Sequence, residues 1–141
     1  MELVEYFKAL NAAHGPSGDE ADLRAVIARL AQPYADEITT DAMGNLIVRK
    51  RGDGPKGMFA DHMDSIGFIV THIEKESFLR VGSLGGIAAK EAVYTTVRFK
   101  NGVCGTLVPE EKADFAKLKL DECYLDIGAA DEASAKQQVQ V

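Results

Sequence analysis

The stretch "MFADHMDSIGF", residues 58–68, sets Asp61, His62 and Asp64 within four positions at the end of an apolar run. Residues two apart on an extended chain point to the same face, so His62 and Asp64 project together and Asp61 and Met63 project the other way. This spacing suits a metal ligand and its support. One ring nitrogen of a neutral imidazole binds zinc or cobalt while a carboxylate holds the ring through the other. The same residues equally suit a solvated loop at a strand exit. A catalytic zinc takes about three protein ligands, and a two-metal site more, so one histidine completes neither.

Other candidate groups add little by spacing. His14 lies in a Gly-Pro loop, where a loop hydrogen bond is the expected use, and His72 lies in the alternating run "GFIVTHI", where it is a half-exposed strand residue. The "PEEK" pair Glu110 and Glu111 reads as a solvated helix start. Cys104 and Cys123 are separated by 18 residues and form no CxxC pair, which excludes a zinc knuckle and leaves two buried free thiols of a cytoplasmic protein. GxSxG is absent, and the glycines of "VGSLGG" lack phosphate-cradling spacing.

The elements that must position these residues follow from periodicity. Leu3, Phe7 and Leu10 predict an amphipathic helix over 2–12, ended by "HGPSG". Ser17 followed by Glu20 fits a capping box for a second helix running to about Gln32, with Leu23, Val26, Ile27 and Leu30 on its buried stripe. Residues 37–52 read as two extended segments around a turn at Asp41–Asn45, and "GMFADHMD" as a short strand buried on both faces of an α/β sheet. Ligand sites of such sheets lie beyond the carboxyl ends of the strands, which is where His62 falls.

After Asp64 the texture becomes β-rich: "GFIVTHI", "FLRVGS", "AVYTTVRFK", "VCGTLV" and "CYLDIGA", with helices predicted at "PEEKADFAKL" and "DEASAKQQ". Asn101-Gly102 predicts a hairpin with a type I′ turn. The expected division is 1–65 and 66–141, meeting without a low-complexity linker.

A chain of 141 residues with 46% hydrophobic and 27% charged residues can build a core. Its net charge of −6, with basic residues scattered, gives no footprint for nucleic acid or an anionic membrane. Acids at positions 2 and 5 argue against a secretory signal, and no run is long enough to span a bilayer.

Taken in order, "HGPSGDE", "DAMGNLIVRKRG", "ADHMDSIGFIVTHIE", "FLRVGSLGG" and "YLDIGA" resemble the tetrahedral aminopeptidases, the glutamyl/leucyl aminopeptidase group also labelled cellulase M, metallopeptidase family forty-two. The resemblance runs from Met1 to about Ala130. It implies the N-terminal part of a zinc-aminopeptidase-like α/β catalytic domain (1–65), with an inserted PDZ-like β-rich module (66–141) that serves dimerisation and assembly. It also implies two divalent metal ions, zinc or cobalt, a peptide substrate losing its N-terminal residues, and a homo-oligomer from dimer to dodecamer. By position, His62 matches the first metal ligand and Asp64 the catalytic carboxylate that steadies it. The general base and the other ligands of the family lie beyond Val141, so the chain alone is expected to be inactive, with sheet edges that leave it marginal, aggregated or held by a partner. Asp61 departs from the small residue common in the family, and would need a hydrogen-bond donor if buried. A non-catalytic assembly or peptide-binding module of the same ancestry is the alternative, and a truncated product without an independent role is a third.

Overall fold

The apolar stripe at Leu3, Phe7 and Leu10 winds into helix α1, Leu3–Ala12, in the computed structural model, which describes residues 2–141. The Cα positions divide into two units, Met1–Ser65 and Ile66–Val141. In the first, α1 packs on α2, Ala21–Ala31, whose Leu23 is buried and whose end tightens into a 3₁₀ turn at Gln32–Tyr34. Proline at position 33 removes a backbone donor and stops the α-helical ladder there.

β1, Glu37–Thr40, and β2, Leu46–Arg49, pair antiparallel with Ile38 opposite Val48. Asp41 builds the turn between them: its carboxylate accepts from the N–H groups of Met43 and Asn45 and from the Asn45 amide, each at 2.9 Å. Gly44 takes φ +87°, a conformation that costs glycine nothing, and its carbonyl accepts from the Arg24 guanidinium of α2 at 2.7 Å.

Two expectations fail in this unit. Ser17 and Glu20 form no capping box: Glu20 itself is the residue before α2 and caps nothing through its side chain, its carboxylate taking the Gly18 N–H at 2.6 Å instead. Residues 57–64 form no strand, and Met58 and Phe59 are 90% and 101% exposed. An apolar run becomes a buried strand only beside neighbours that complete its hydrogen-bond ladder. Among the described residues, the one backbone bridge here is the parallel contact of Pro16 with Ser65.

The second unit is a five-stranded antiparallel sheet in the order β3-β4-β7-β6-β5, formed by β3 Gly67–Ile73, β4 Leu79–Leu84, β5 Thr96–Arg98, β6 Cys104–Pro109 and β7 Cys123–Asp126. Leu79, Leu107, Cys123 and Leu125 are fully buried at its centre. Each buried leucine removes enough apolar surface to contribute about 1.5–3 kcal/mol. β3 carries a bulge, since Val70 faces Val81 and His72 faces Arg80, leaving Thr71 as the extra residue. Helix α3, Ala89–Ala92, adds Ala89 to the core, and α4, Glu132–Gln138, adds Ala135.

The β5–β6 hairpin turns at Asn101-Gly102, but only Gly102 has positive φ, +90°. The Gly102 N–H donates to the Phe99 carbonyl at 3.0 Å and the Phe99 N–H to that of Val103 at 2.8 Å, so three residues make the loop and the turn is not type I′. The helix predicted at "PEEKADFAKL" is replaced by 3₁₀ turns at Phe115–Lys117 and Leu120–Glu122. The Glu110 N–H is spent on the Glu122 carbonyl at 2.8 Å and Leu118 turns into the core, a path an α-helix would not permit.

Candidate metal-ligand site

Asp64 fixes the His62 ring from below. The imidazole Nδ1 lies 3.0 Å from Asp64 Oδ1 and 3.1 Å from the Asp64 carbonyl. Both oxygens can only accept, so Nδ1 carries a proton, and in the neutral imidazole it is Nε2 that keeps the lone pair. The His62 side chain is 79% exposed, which leaves Nε2 accessible. Asp64 hydrogen bonding, more than its charge, raises the pKa of His62 from its ordinary value. Asp64 moves the opposite way, its carboxyl lowered first by the Ser17 hydroxyl and then by His62.

The second carboxylate oxygen, Asp64 Oδ2, accepts a hydrogen bond from Ser17 Oγ, a residue 47 positions away in sequence. Asp61 is exposed and points elsewhere, its Oδ1 accepting from the His62 N–H at 2.9 Å, so it has the donor it would need. Two small clefts flank His62. One, about 280 Å³, is largely apolar, with Leu10, Leu23, Ile27 and Met63 in its lining. The other, about 200 Å³, is polar, with Glu20, Arg24, Asn45 and Asp61 around it.

The spacing of His62 and Asp64 thus brings together the two residues it predicts. The remaining candidates go elsewhere. His14 Nε2 meets Asp19 Oδ2 at 3.2 Å, the loop interaction expected of it. His72 is an exposed residue of β3. Glu110 begins no helix: it meets Arg80 at 2.8 Å, while Glu74 takes the other side of the same guanidinium at 2.7 Å. Cys123 is buried and free, and burial pushes its thiol pKa up, but Cys104 is exposed. As the first residue of β6, Cys104 alternates with the inward Gly105 and Leu107 positions and faces out.

Imidazole Nε2 backed by a carboxylate is a suitable ligand for a divalent metal, yet among the described residues no group of three or more His, Cys, Asp or Glu side chains is placed to hold one. Ser17 is the participant that sequence reasoning assigns wrongly, because its partner is set by tertiary pairing of two loops rather than by local spacing.

A family model of the M42 glutamyl aminopeptidases matches residues 44–141. The chain belongs to this family. A relative from Acetivibrio thermocellus carrying an aminopeptidase name is 38% identical over 99% of this chain and 43% of its own length. The crystal structure of a TET aminopeptidase from the marine sediment archaeon Thaumarchaeota archaeon SCGC AB-539-E09 superposes with a TM-score of 0.85 at 32% identity, over 98% of this chain and 42% of that one. The Pyrococcus horikoshii TET1 peptidase, which can assemble into a tetrahedron or a large octahedral shell, matches at a TM-score of 0.81 and 30% identity over 99% and 44% of the two chains. The mixed α/β fold is therefore similar to the N-terminal part of the TET aminopeptidases, and the chain spans about two fifths of the length of these proteins.

Proposed function

We propose that this chain supplies part of a metal-dependent aminopeptidase, with His62 as the first metal ligand and Asp64 as the carboxylate that holds its ring. The observation that carries the reading is the Nδ1 contact at 3.0 Å with Nε2 left open, in a member of a peptidase family. The reaction is removal of N-terminal residues from peptides at a pair of divalent ions, zinc or cobalt. Such ions supply polarisation of the scissile carbonyl and a water of lowered pKa. The chain's own residues bind and orient: Asp64 keeps the Nδ1 proton in place and thereby presents Nε2 toward a ligand. Since one imidazole does not make a centre, the remaining donors and the general base come from further polypeptide, in the same chain or another.

Residues 66–141 are assigned the role of a PDZ-like assembly module, in keeping with TET relatives that form large shells. The second reading, an assembly or peptide-binding protein without catalysis, draws on the open β3 and β5 edges of the five-stranded sheet, along which an extended segment can add. Cleavage of an aminoacyl anilide with added cobalt or zinc, by an assembly that includes the polypeptide carrying the remaining donors, separates the two. Turnover that a chelator stops and metal restores supports the peptidase; a stable protein that binds peptides without taking up metal supports the module.

A further inference from the structure

The segment His14–Asp19 is built around one hydroxyl. Its backbone is tied to the end of the His62 segment by the parallel bridge of Pro16 with Ser65: the Ser17 N–H donates to the Ser65 carbonyl at 3.3 Å, and the Ser65 N–H to the Gly15 carbonyl at 2.8 Å. The Ser65 hydroxyl adds a second bond to the Gly15 carbonyl at 3.1 Å. On its other side the loop is fastened to α2, where the Leu23 N–H donates to the His14 carbonyl at 3.1 Å. Between these anchors Ser17 Oγ reaches Asp64 Oδ2, and a carboxylate can only accept, so the hydroxyl donates.

We infer that Ser17 is a positioning residue for the His62 centre, holding the Asp64 carboxylate so that its other oxygen keeps the His62 proton on Nδ1. The inference rests on His62 being a metal ligand, and it adds a third member to the arrangement. The torsion that turns a carboxylate about its Cβ–Cγ bond is soft and broad, so two hydrogen bonds on opposite oxygens define it where one does not. Asp64 is part-exposed, and water would replace Ser17 without fixing a direction. The ring would still have the Asp64 carbonyl at 3.1 Å, so loss of Ser17 loosens the tautomer rather than abolishing it. Nor is Ser17 placed as a nucleophile, since its hydroxyl is bonded to the acid and not to the imidazole.

The test is nitrogen-15 NMR of the histidine side chains in the full chain, with His62→Ala to assign the signals and cobalt(II) alone as the metal probe. In the unsubstituted protein the His62 shifts report the Nδ1–H form. Ser17→Ala moves them toward the Nε2–H form that free histidine favours, and Ser17→Thr restores them. Cobalt broadens the His62 ring signals, and Ser17→Ala raises the half-saturating concentration by up to about 10-fold, less than loss of the ligand's direct carboxylate partner would. Unchanged His62 shifts and cobalt response in a folded Ser17→Ala protein would reduce Ser17 to an ordinary loop contact and overturn the inference. Should that variant not fold, Ser17→Cys, similar in size and a weaker donor, is read in the same way. If cobalt leaves His62 untouched in an assembly that includes the polypeptide carrying the remaining donors, the metal-ligand reading falls, while the tautomer comparison still decides the role of Ser17.

Discussion

Gly15 lies so close to Leu23 that a Cβ built on it would be 2.7 Å from both Cβ and Cδ2 of the leucine. The loop that carries Ser17 therefore runs flat against α2, and the absence of a side chain at position 15 is what lets it pass. Gly15→Ala is expected to destabilise the first unit by about 1–3 kcal/mol, the usual cost of overpacking. Urea unfolding followed by a probe in residues 2–65 measures it, and an unchanged midpoint would mean that Leu23 simply moves aside.

In a complete catalytic assembly, His62→Ala is expected to abolish aminopeptidase turnover and to remove one metal equivalent. Asp64→Asn is expected to retain the protein fold while weakening metal binding or rate about 10–100-fold, because the amide cannot hold the Nδ1 proton as a carboxylate does. Metal analysis beside steady-state kinetics checks both; full activity in the His62 variant would take that residue out of the mechanism.

Arg80 joins three parts of the second unit, through Glu74 at 2.7 Å, Glu110 at 2.8 Å and the Cys123 carbonyl at 3.1 Å. Both glutamates keep access to water, so Arg80→Met is expected to cost a modest amount, about 1–2 kcal/mol. Arg80→Lys should recover only part of this, since an ammonium cannot reach three directions as a planar fork does. Thermal unfolding of the pair would show it, and equal stability of Lys and Arg proteins would argue that charge alone matters.

Asp131 caps α4, its carboxylate accepting from the Ser134 N–H at 2.8 Å while the Ser134 hydroxyl accepts from the Asp131 N–H at 3.0 Å. The backbone bond holds the Asp131 pKa below its ordinary value of 3.8. A group whose folded-state pKa is depressed stabilises above the unfolded value and loses that contribution as pH falls through the folded one. Amide protection in α4 is thus expected to hold above the ordinary carboxylate range and to fall on acidification beneath it. Asp131→Asn, which still accepts but does not titrate, should flatten the change in that window; an identical profile would assign the acid transition to other carboxylates.

The positions of α1 and α2 are legible because an apolar stripe at 3.6-residue spacing depends on near neighbours alone, as in Leu3, Phe7 and Leu10 of α1, whereas "PEEKADFAKL" forms 3₁₀ turns and the short α3 has no such stripe to announce it. The pairing of β1 with β2 was equally visible, Asp41 and Gly44 being residues with few other uses. The hairpin at Asn101-Gly102 is legible in the sequence while its turn type is not, since Lys100 joins the loop and only tertiary fit selects among loop lengths. At the site, His62 and Asp64 are two residues apart and local geometry suffices to join them. Ser17 is not, and a Ser-x-x-Glu pattern next to a helix pointed to a cap that the folded chain does not use. Residues 57–64 show the same limit from the other side: their apolar character is plain in the sequence, but burial and strand formation depend on partners that sequence order does not reveal.

The bulge in β3 gives this edge strand one residue that its ladder does not count. Removing Thr71 would leave Val70 opposite Val81 and His72 opposite Arg80, so the strand can lose a residue without slipping register. What it would lose is the local twist, and an edge that lies flat is the better template for another chain. The cost of such a deletion should therefore appear in solubility at high concentration before it appears in the melting temperature, making Thr71 a guard on the boundary of the sheet rather than a contributor to its core.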